Sequence, residues 1–400
     1  MHMKATSLLA LIASSSLVTA PGQATPLRGG GSGTCDGVLR VVPAIDVATS
    51  YGDFNSLNAV DARTLHDVWA VGQYHRFANN SYDQTLTERW DGTAWSLVPS
   101  PNSKHLPVDQ LNGVASTGAG DVWAVGYERG IPSGDYFELI EHWTGQAWTV
   151  VVDGGDVGYL SSVAASGPND VWAVGSTNYV GHGLIEHWDG RTWKRTVFAG
   201  AEFFRAVSAR APNDVWAVGQ LSIPPSSGDD TFAVHFDGRK WTRFATPNPL
   251  QRHNIDQNWL TSIAALAAND VWVSGVARDP DYGIFDSTFT LHWNGKAFRL
   301  IRSQNPGGTK MNNDLWGIVA FSSDNVWAVG AVGQANFTPL GEHWNDNAWS
   351  AATTPSVQGV LMSAAAARAD GRLWATGNQI VGSGQTAYTG TLVERACARS

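Results

Sequence analysis

From about residue 35 onward the hydrophobic residues of this chain fall in short, recurring segments, none long enough for a helix. In Asp170-Val171-Trp172-Ala173-Val174-Gly175, extended backbone turns Val171 and Ala173 to one side and Trp172 and Val174 to the other. Both faces are apolar, so both must be covered, as in stacked sheets. Shortly afterwards comes Glu186-His187-Trp188-Asp189-Gly190-Arg191-Thr192-Trp193, in which Asp189-Gly190 is a hairpin signal between two more strands.

The pair of phrases repeats along the whole chain. Its central tryptophan falls at Trp69, Trp123, Trp172, Trp216, Trp272, Trp327 and Trp374, roughly fifty residues apart, the period of a propeller blade. Each copy is preceded by a short segment such as Leu57-Asn58-Ala59-Val60 or Leu160-Ser161-Ser162-Val163. Four strands per unit follow, named here A (Leu-x-x-Val), B (Asp-Val-Trp-Ala-Val-Gly), C (ending Glu-His-Trp) and D (starting at Trp193 or its equivalent). The expected fold is all-β: a seven-bladed β-propeller with four antiparallel strands per blade.

The last unit ends at its C strand. The missing D strand is expected at the other end, where Asp36-Gly37-Val38-Leu39-Arg40-Val41-Val42-Pro43 matches Asp91-Gly92-Thr93-Ala94-Trp95-Ser96-Leu97-Val98-Pro99. That alignment brings Cys35 beside Cys397, and a disulfide there would clasp the ring. Strand order puts the short A–B and C–D connections on one face. The variable B–C and D–A connections lie on the other, where function is expected.

The Asp-Val-Trp-Ala-Val-Gly and His-Trp-Asp-Gly-x-x-Trp repeats resemble those of secreted bacterial β-propellers grouped with galactose-oxidase-like and kelch-like proteins. The layout is also similar to that of seven-bladed propeller lectins, and the hairpin to the Asp-box of sialidases. The resemblance spans about residues 35–400. It implies the propeller fold and leaves open lectin-like binding or the activity of a polysaccharide lyase or glycosidase.

Composition adds an address. A basic start at Lys4 and an apolar run over residues 7–18, too short to span a bilayer, read as a signal peptide over residues 1–24. A flexible tether (25–34) and one propeller domain (35–400) follow, giving a secreted, extracellular protein, expected to be a monomer without a membrane anchor. A net charge of −9 argues against a nucleic-acid surface.

Residues that repeat in every unit build the scaffold, so candidate chemistry is what remains when they are subtracted. Of 19 tryptophans only Trp259 and Trp316 fall outside the repeat. Both sit on or beside an A strand near the channel mouth, where exposed indoles could stack on a sugar; alternatively each plugs the channel or packs under a loop. His142, His187, His235, His292 and His343 recur and are structural, and His66 replaces a turn residue, whereas His253 shares a variable loop with Asp256 and Trp259. Asn312 lies in the next D–A loop. Arg205 occupies the same A-strand position as Trp316 and could hold a carboxylate or pair with Glu202.

The leading expectation is glycan or small-ligand binding without catalysis, through Trp259, Trp316, Arg205, His253, Asp256 and Asn312. An enzyme acting on an acidic glycan is the alternative. In it Arg205 would neutralise a uronate, with His253 and Tyr282 or Tyr51 moving the proton. A third is a protein-interaction platform. No zinc spacing is present. The Asp279-x-Asp281-x-Gly283-x-x-Asp286 run has a calcium-like spacing without the closing glutamate, so no cofactor is expected beyond a marginal calcium candidate.

Overall fold

All four segment types are strands in the computed structural model, which describes residues 36–79, 82–103, 106–131, 133–152, 157–177, 182–198, 200, 202–222, 228–251, 255–279, 285–367 and 371–397. The A strands are β2 (Phe54–Thr64), β6 (Val108–Gly118), β10 (Tyr159–Gly167), β14 (Glu202–Ala211), β18 (Gln257–Ala267), β22 (Asn312–Ser322) and β26 (Gly359–Ala367). Each runs antiparallel to the B strand that follows it. In the third unit β10 pairs with β11 (Asp170–Ser176), β11 with β12 (Gly183–Trp188), and β12 with β13 (Trp193–Val197).

The strands make five hydrogen-bonded sheets, two of them eight-stranded. The eight-stranded sheets depart from the expected sets of four for a local reason. In each, one parallel residue pair, Asp229 with Gln257 or Phe54 with Thr389, bridges two sets. At the chain ends β1 (Arg40–Val41) pairs antiparallel with β28 (Tyr388–Cys397), Arg40 lying opposite Arg395. Cys397 closes β28 opposite Arg372. Cys35 and the whole of residues 1–34 lie outside the described residues.

The tryptophans pack between units. Trp69 meets Trp143 and Trp148 of the following unit with ring centroids 5.1 and 5.3 Å apart, tilted and edge-on. Trp123 repeats this with Trp188 and Trp193, and Trp272 with Trp344 and Trp349. Trp374 of the last unit packs in the same way on Trp90 and Trp95 of the first, at 5.2 and 5.5 Å. Indoles suit these contacts because they cover a large apolar area in tilted pairs.

The recurrent histidines are scaffold. His187 stacks on Trp172 at 3.7 Å while its Nε2 lies 2.8 Å from Asp170 Oδ1; His142 on Trp123 beside Asp121, and His292 on Trp272 beside Asp270, repeat the arrangement. Arg89 substitutes in the first unit, over Trp69 and 2.9 Å from Asp67. His66 sits against Gly92 where Asn169 sits against Gly190, as expected of a replaced turn residue. These contacts also put the A–B and C–D turns on one face.

Candidate functional site

Every A strand carries a β-bulge at the same equivalent position. Register slips between Leu57 and Ala59, Leu111 and Gly113, Leu160 and Ser162, Phe204 and Ala206, Leu260 and Ser262, Leu315 and Gly317, and Leu361 and Ser363. The extra residues are Asn58, Asn112, Ser161, Arg205, Thr261, Trp316 and Met362. A bulge re-aims the side chain of its extra residue, and all of these line one cavity of about 660 Å³.

In six units the glycine that ends the B-strand phrase lies against an A-strand carbonyl just before the bulge, whereas in the fifth a Cβ on Gly275 would meet the Phe289 ring. Added to Gly175, a Cβ would lie 1.9 Å from the Tyr159 carbonyl oxygen; on Gly219, it would lie 1.9 Å from that of Phe203. No other residue fits against a carbonyl that close.

The cavity is layered. Val60, Val114, Val163, Val207, Ile263 and Ile318 line it on the A–B side of the bulges. Side chains of the bulge layer stitch one A strand to the next: Asn58 Nδ2 donates to Leu111 O (2.9 Å), Asn112 Nδ2 to Leu160 O (2.9 Å), Ser161 Oγ to Phe204 O (2.7 Å) and Thr261 Oγ1 to Leu315 O (2.6 Å). Arg205, Trp316 and Met362 depart from this pattern. Met362 has no donor, and Arg205 Nε donates instead to Gln220 Oε1 (2.8 Å).

Toward the variable connections the wall is aromatic. Tyr127 and Tyr136 meet edge-on at 4.9 Å, Tyr127 and Tyr159 at 5.9 Å, and Tyr159 and Phe203 at 5.3 Å. All four are half-buried cavity residues. The Arg205 guanidinium continues the arc, 5.1 Å from the Phe203 ring and 5.9 Å from that of Trp259. Tyr127 donates its hydroxyl to Gln110 Oε1 (2.7 Å), and burial pushes its phenol above the usual range.

The expected pair of exposed indoles is corrected. Trp316 is half-buried in the cavity wall. Trp259 is only 8 % exposed and outside the lining, because it sits between Arg205 and Arg278 (5.6 Å) and pairs with Val276 in the sheet. Asp256 and Asn312 are also outside the lining. Asp256 is buried, its carbonyl accepting from Asp229 N, while the Asn312 side chain accepts from Asp286 N (3.0 Å). Arg205 is in the cavity as expected, held by Gln220. Tyr51 is exposed outside the lining. His253 and Tyr282 lie outside the described residues.

Asp286, of the calcium-like run, is gripped by Arg278 Nε and Nη2 at 2.5 and 2.6 Å. No group of three potential metal ligands occurs among the described residues. Within the described lining Arg205 is the sole charged side chain.

The aromatic arc was missed in the sequence although a signal was there. The residue before the leucine or phenylalanine of each A strand reads Ser56, Gln110, Tyr159, Phe203, Trp259, Asp314 and Val360, three successive aromatics in the middle units.

No protein-family model matches the chain, and no curated protein matches it. Solved structures do. YCF48 bound to D1 peptide is 14% identical, with a TM-score of 0.50 over 90% of this chain and 94% of that one. U3-55K is 10% identical, with a TM-score of 0.55 over 91% of this chain and 100% of the other. Both likenesses show the fold: repeated four-stranded sheets in a propeller-type, all-β architecture.

Proposed function

We propose that this chain is a secreted, non-catalytic, seven-bladed propeller whose axial cavity binds a segment of another protein. The observation that carries the binding reading is the cavity wall, where a half-buried arc of Tyr127, Tyr136, Tyr159 and Phe203 faces the same space as Arg205, Trp316 and Met362. Tyrosine, tryptophan, methionine and arginine are the residues that protein interfaces concentrate. One structural neighbour, YCF48, is bound to a peptide, which agrees with this reading. Among the described cavity residues the only titratable groups are tyrosines and Arg205, and an elevated Tyr127 phenol is a poor proton acceptor at neutral pH.

The seven-blade count is supported by the A strands meeting in one cavity and by repetition across the chain ends. The Asn102, Asn248 and Asn305 side chains accept from the backbone N–H of Thr85, Thr231 and Thr288, and Asp46, beyond β1, does the same for Thr391 (2.6 Å). The N-terminal segment thus acts for the last unit as each D–A connection does for its own. A Cys35–Cys397 disulfide would close nearly the whole chain into one loop and add about 5 kcal/mol. Reduction should then lower the melting temperature, and an unchanged melt would remove the clasp.

The test of function is retention of proteins from culture medium. Wild type should hold a partner that Tyr159→Ala and Trp316→Ala release. Equal retention by all three, or retention of glycans alone, would contradict a protein-binding cavity. A glycan is the second reading, favoured by Trp316 beside hydrogen-bonding side chains, although Asn58, Asn112, Ser161 and Thr261 are already engaged in the wall.

A further inference from the structure

We infer that the partner segment in the axial cavity is a proline-containing stretch in the polyproline II conformation, held by aromatic rings and by the indole N–H of Trp316. This rests on the peptide-binding reading and deepens it. A bound peptide has three regular backbone forms open to it, an added strand, a helix or polyproline II. The cavity disfavours the first two.

Strand addition needs a free edge, and the A-strand edge away from each B strand is used between neighbouring A strands. Leu111 O, Leu160 O, Phe204 O and Leu315 O accept from side chains of the preceding A strand. Ser116 N, Val207 N, Ala265 N and Ile318 N donate to Asp61, Ser162, Ser208 and Ser262, again on the preceding A strand. Toward the variable connections Asp109 N, Asn313 N and Gly359 N donate to Asp83 O, Asp286 O and Phe337 O of the preceding unit. A helix is too wide. With its side chains it is about 10 Å across, so it would fill the cavity of about 660 Å³ within about 8 Å of length, short of two turns.

Polyproline II is thin, makes no internal hydrogen bonds, and asks for apolar contact and donors to its carbonyls. The wall supplies both. Tyr127, Phe203, Trp316 and Met362 present half-buried apolar surface. The indole N–H of Trp316 has no hydrogen-bond partner among the described residues and is not sealed in the core, unlike those of Trp259 and Trp272. Acceptors in the wall are already engaged: Asn58 Oδ1 accepts from Ser56 Oγ (2.9 Å), Asn112 Oδ1 from Gln110 Nε2 (2.7 Å), and Gln110 Oε1 from the Tyr127 hydroxyl (2.7 Å). A ligand N–H entering this space would leave water without a ready acceptor. Proline has no N–H to satisfy.

A displayed library of short random peptides, selected on wild type, tests the inference. Selected peptides should carry proline, and synthetic copies with that proline replaced by alanine should lose about tenfold or more in affinity. N-methylation of the remaining backbone nitrogens should cost little, whereas loss at alternate positions would show an added strand and overturn the inference. Trp316→Phe keeps a ring and removes the donor. It should weaken the selected peptides about three- to tenfold at an unchanged melting temperature. Peptides that tolerate both proline replacement and Trp316→Phe, yet are released by Trp316→Ala, would overturn the polyproline inference and leave the binding reading intact. No peptide selected, or selected peptides that both Trp316→Ala and Tyr159→Ala retain, would overturn both.

Discussion

Two sets of side chains occupy the same structural position and do different work. Asn58, Asn112, Ser161 and Thr261 are short, and each donates to a carbonyl on the neighbouring A strand. Arg205, Trp316 and Met362 are long and half-buried at the same bulge, facing the cavity. The difference teaches that a repeated bulge is a socket. Filled with a short donor it ties units together, and filled with a large side chain it supplies part of the cavity wall.

The largest effect should come from breaking the scaffold. Trp374→Ala empties the contact between last and first units, where the indole is fully buried against Trp90 and Trp95. It should cost about 3–5 kcal/mol in a denaturant melt. If the chain ends were not packed as one layer the loss would be much smaller.

A second effect sharpens the scaffold side through pH. Burial pushes Glu88, Glu141 and Glu394 up to about 8 and Glu342 up to about 7. Glu88, Glu141 and Glu342 accept from the connection leaving the preceding unit, Ile45 N at 3.3 Å, Ser100 Oγ at 2.7 Å and Gln304 N at 3.2 Å. Their folded-state pKa values exceed the unfolded ones. Their contribution is therefore fully present below about pH 4.5 and is lost as pH rises through 7 to 8. Melting temperature should fall across that window, and Glu141→Gln should flatten the fall. A rising or level profile would mean that these carboxyls are ionised in the folded protein.

The smaller effects separate the two sets directly. Asn112→Ala leaves the Leu160 carbonyl without its side-chain donor and should cost about 1–3 kcal/mol, with ligand binding kept. Trp316→Ala changes a half-buried wall residue and should cost less than Asn112→Ala while losing the partner. Equal costs would say that Trp316 also belongs to the stitching.

How far the sequence revealed this depended on whether a feature repeats. Trp172, His187 and Asp170 recur in register, so their shared role was readable by counting. The same counting made Trp259 and Trp316 look alike, since both are tryptophans left over. They differ because Trp316 is the bulged residue, turned into the cavity, whereas Trp259 pairs with Val276 in the regular ladder. A bulge depends on the register between two strands and cannot be read from one strand alone. The Tyr127–Tyr136 contact likewise joins diagonal positions on two paired strands of one unit, and no spacing along the chain announces it. Asp256 and Asn312 were grouped with the site by loop position, but the Asp256 carbonyl accepts from Asp229 N and the Asn312 side chain from Asp286 N, outside the cavity lining.

The most direct test of the central claim is one paired measurement, melting temperature and partner retention, on Asn112→Ala and Trp316→Ala side by side. The account predicts that Asn112→Ala melts earlier and still holds its partner, while Trp316→Ala melts close to wild type and lets the partner go. Full retention by Trp316→Ala would contradict the assignment of the axial cavity as the binding site.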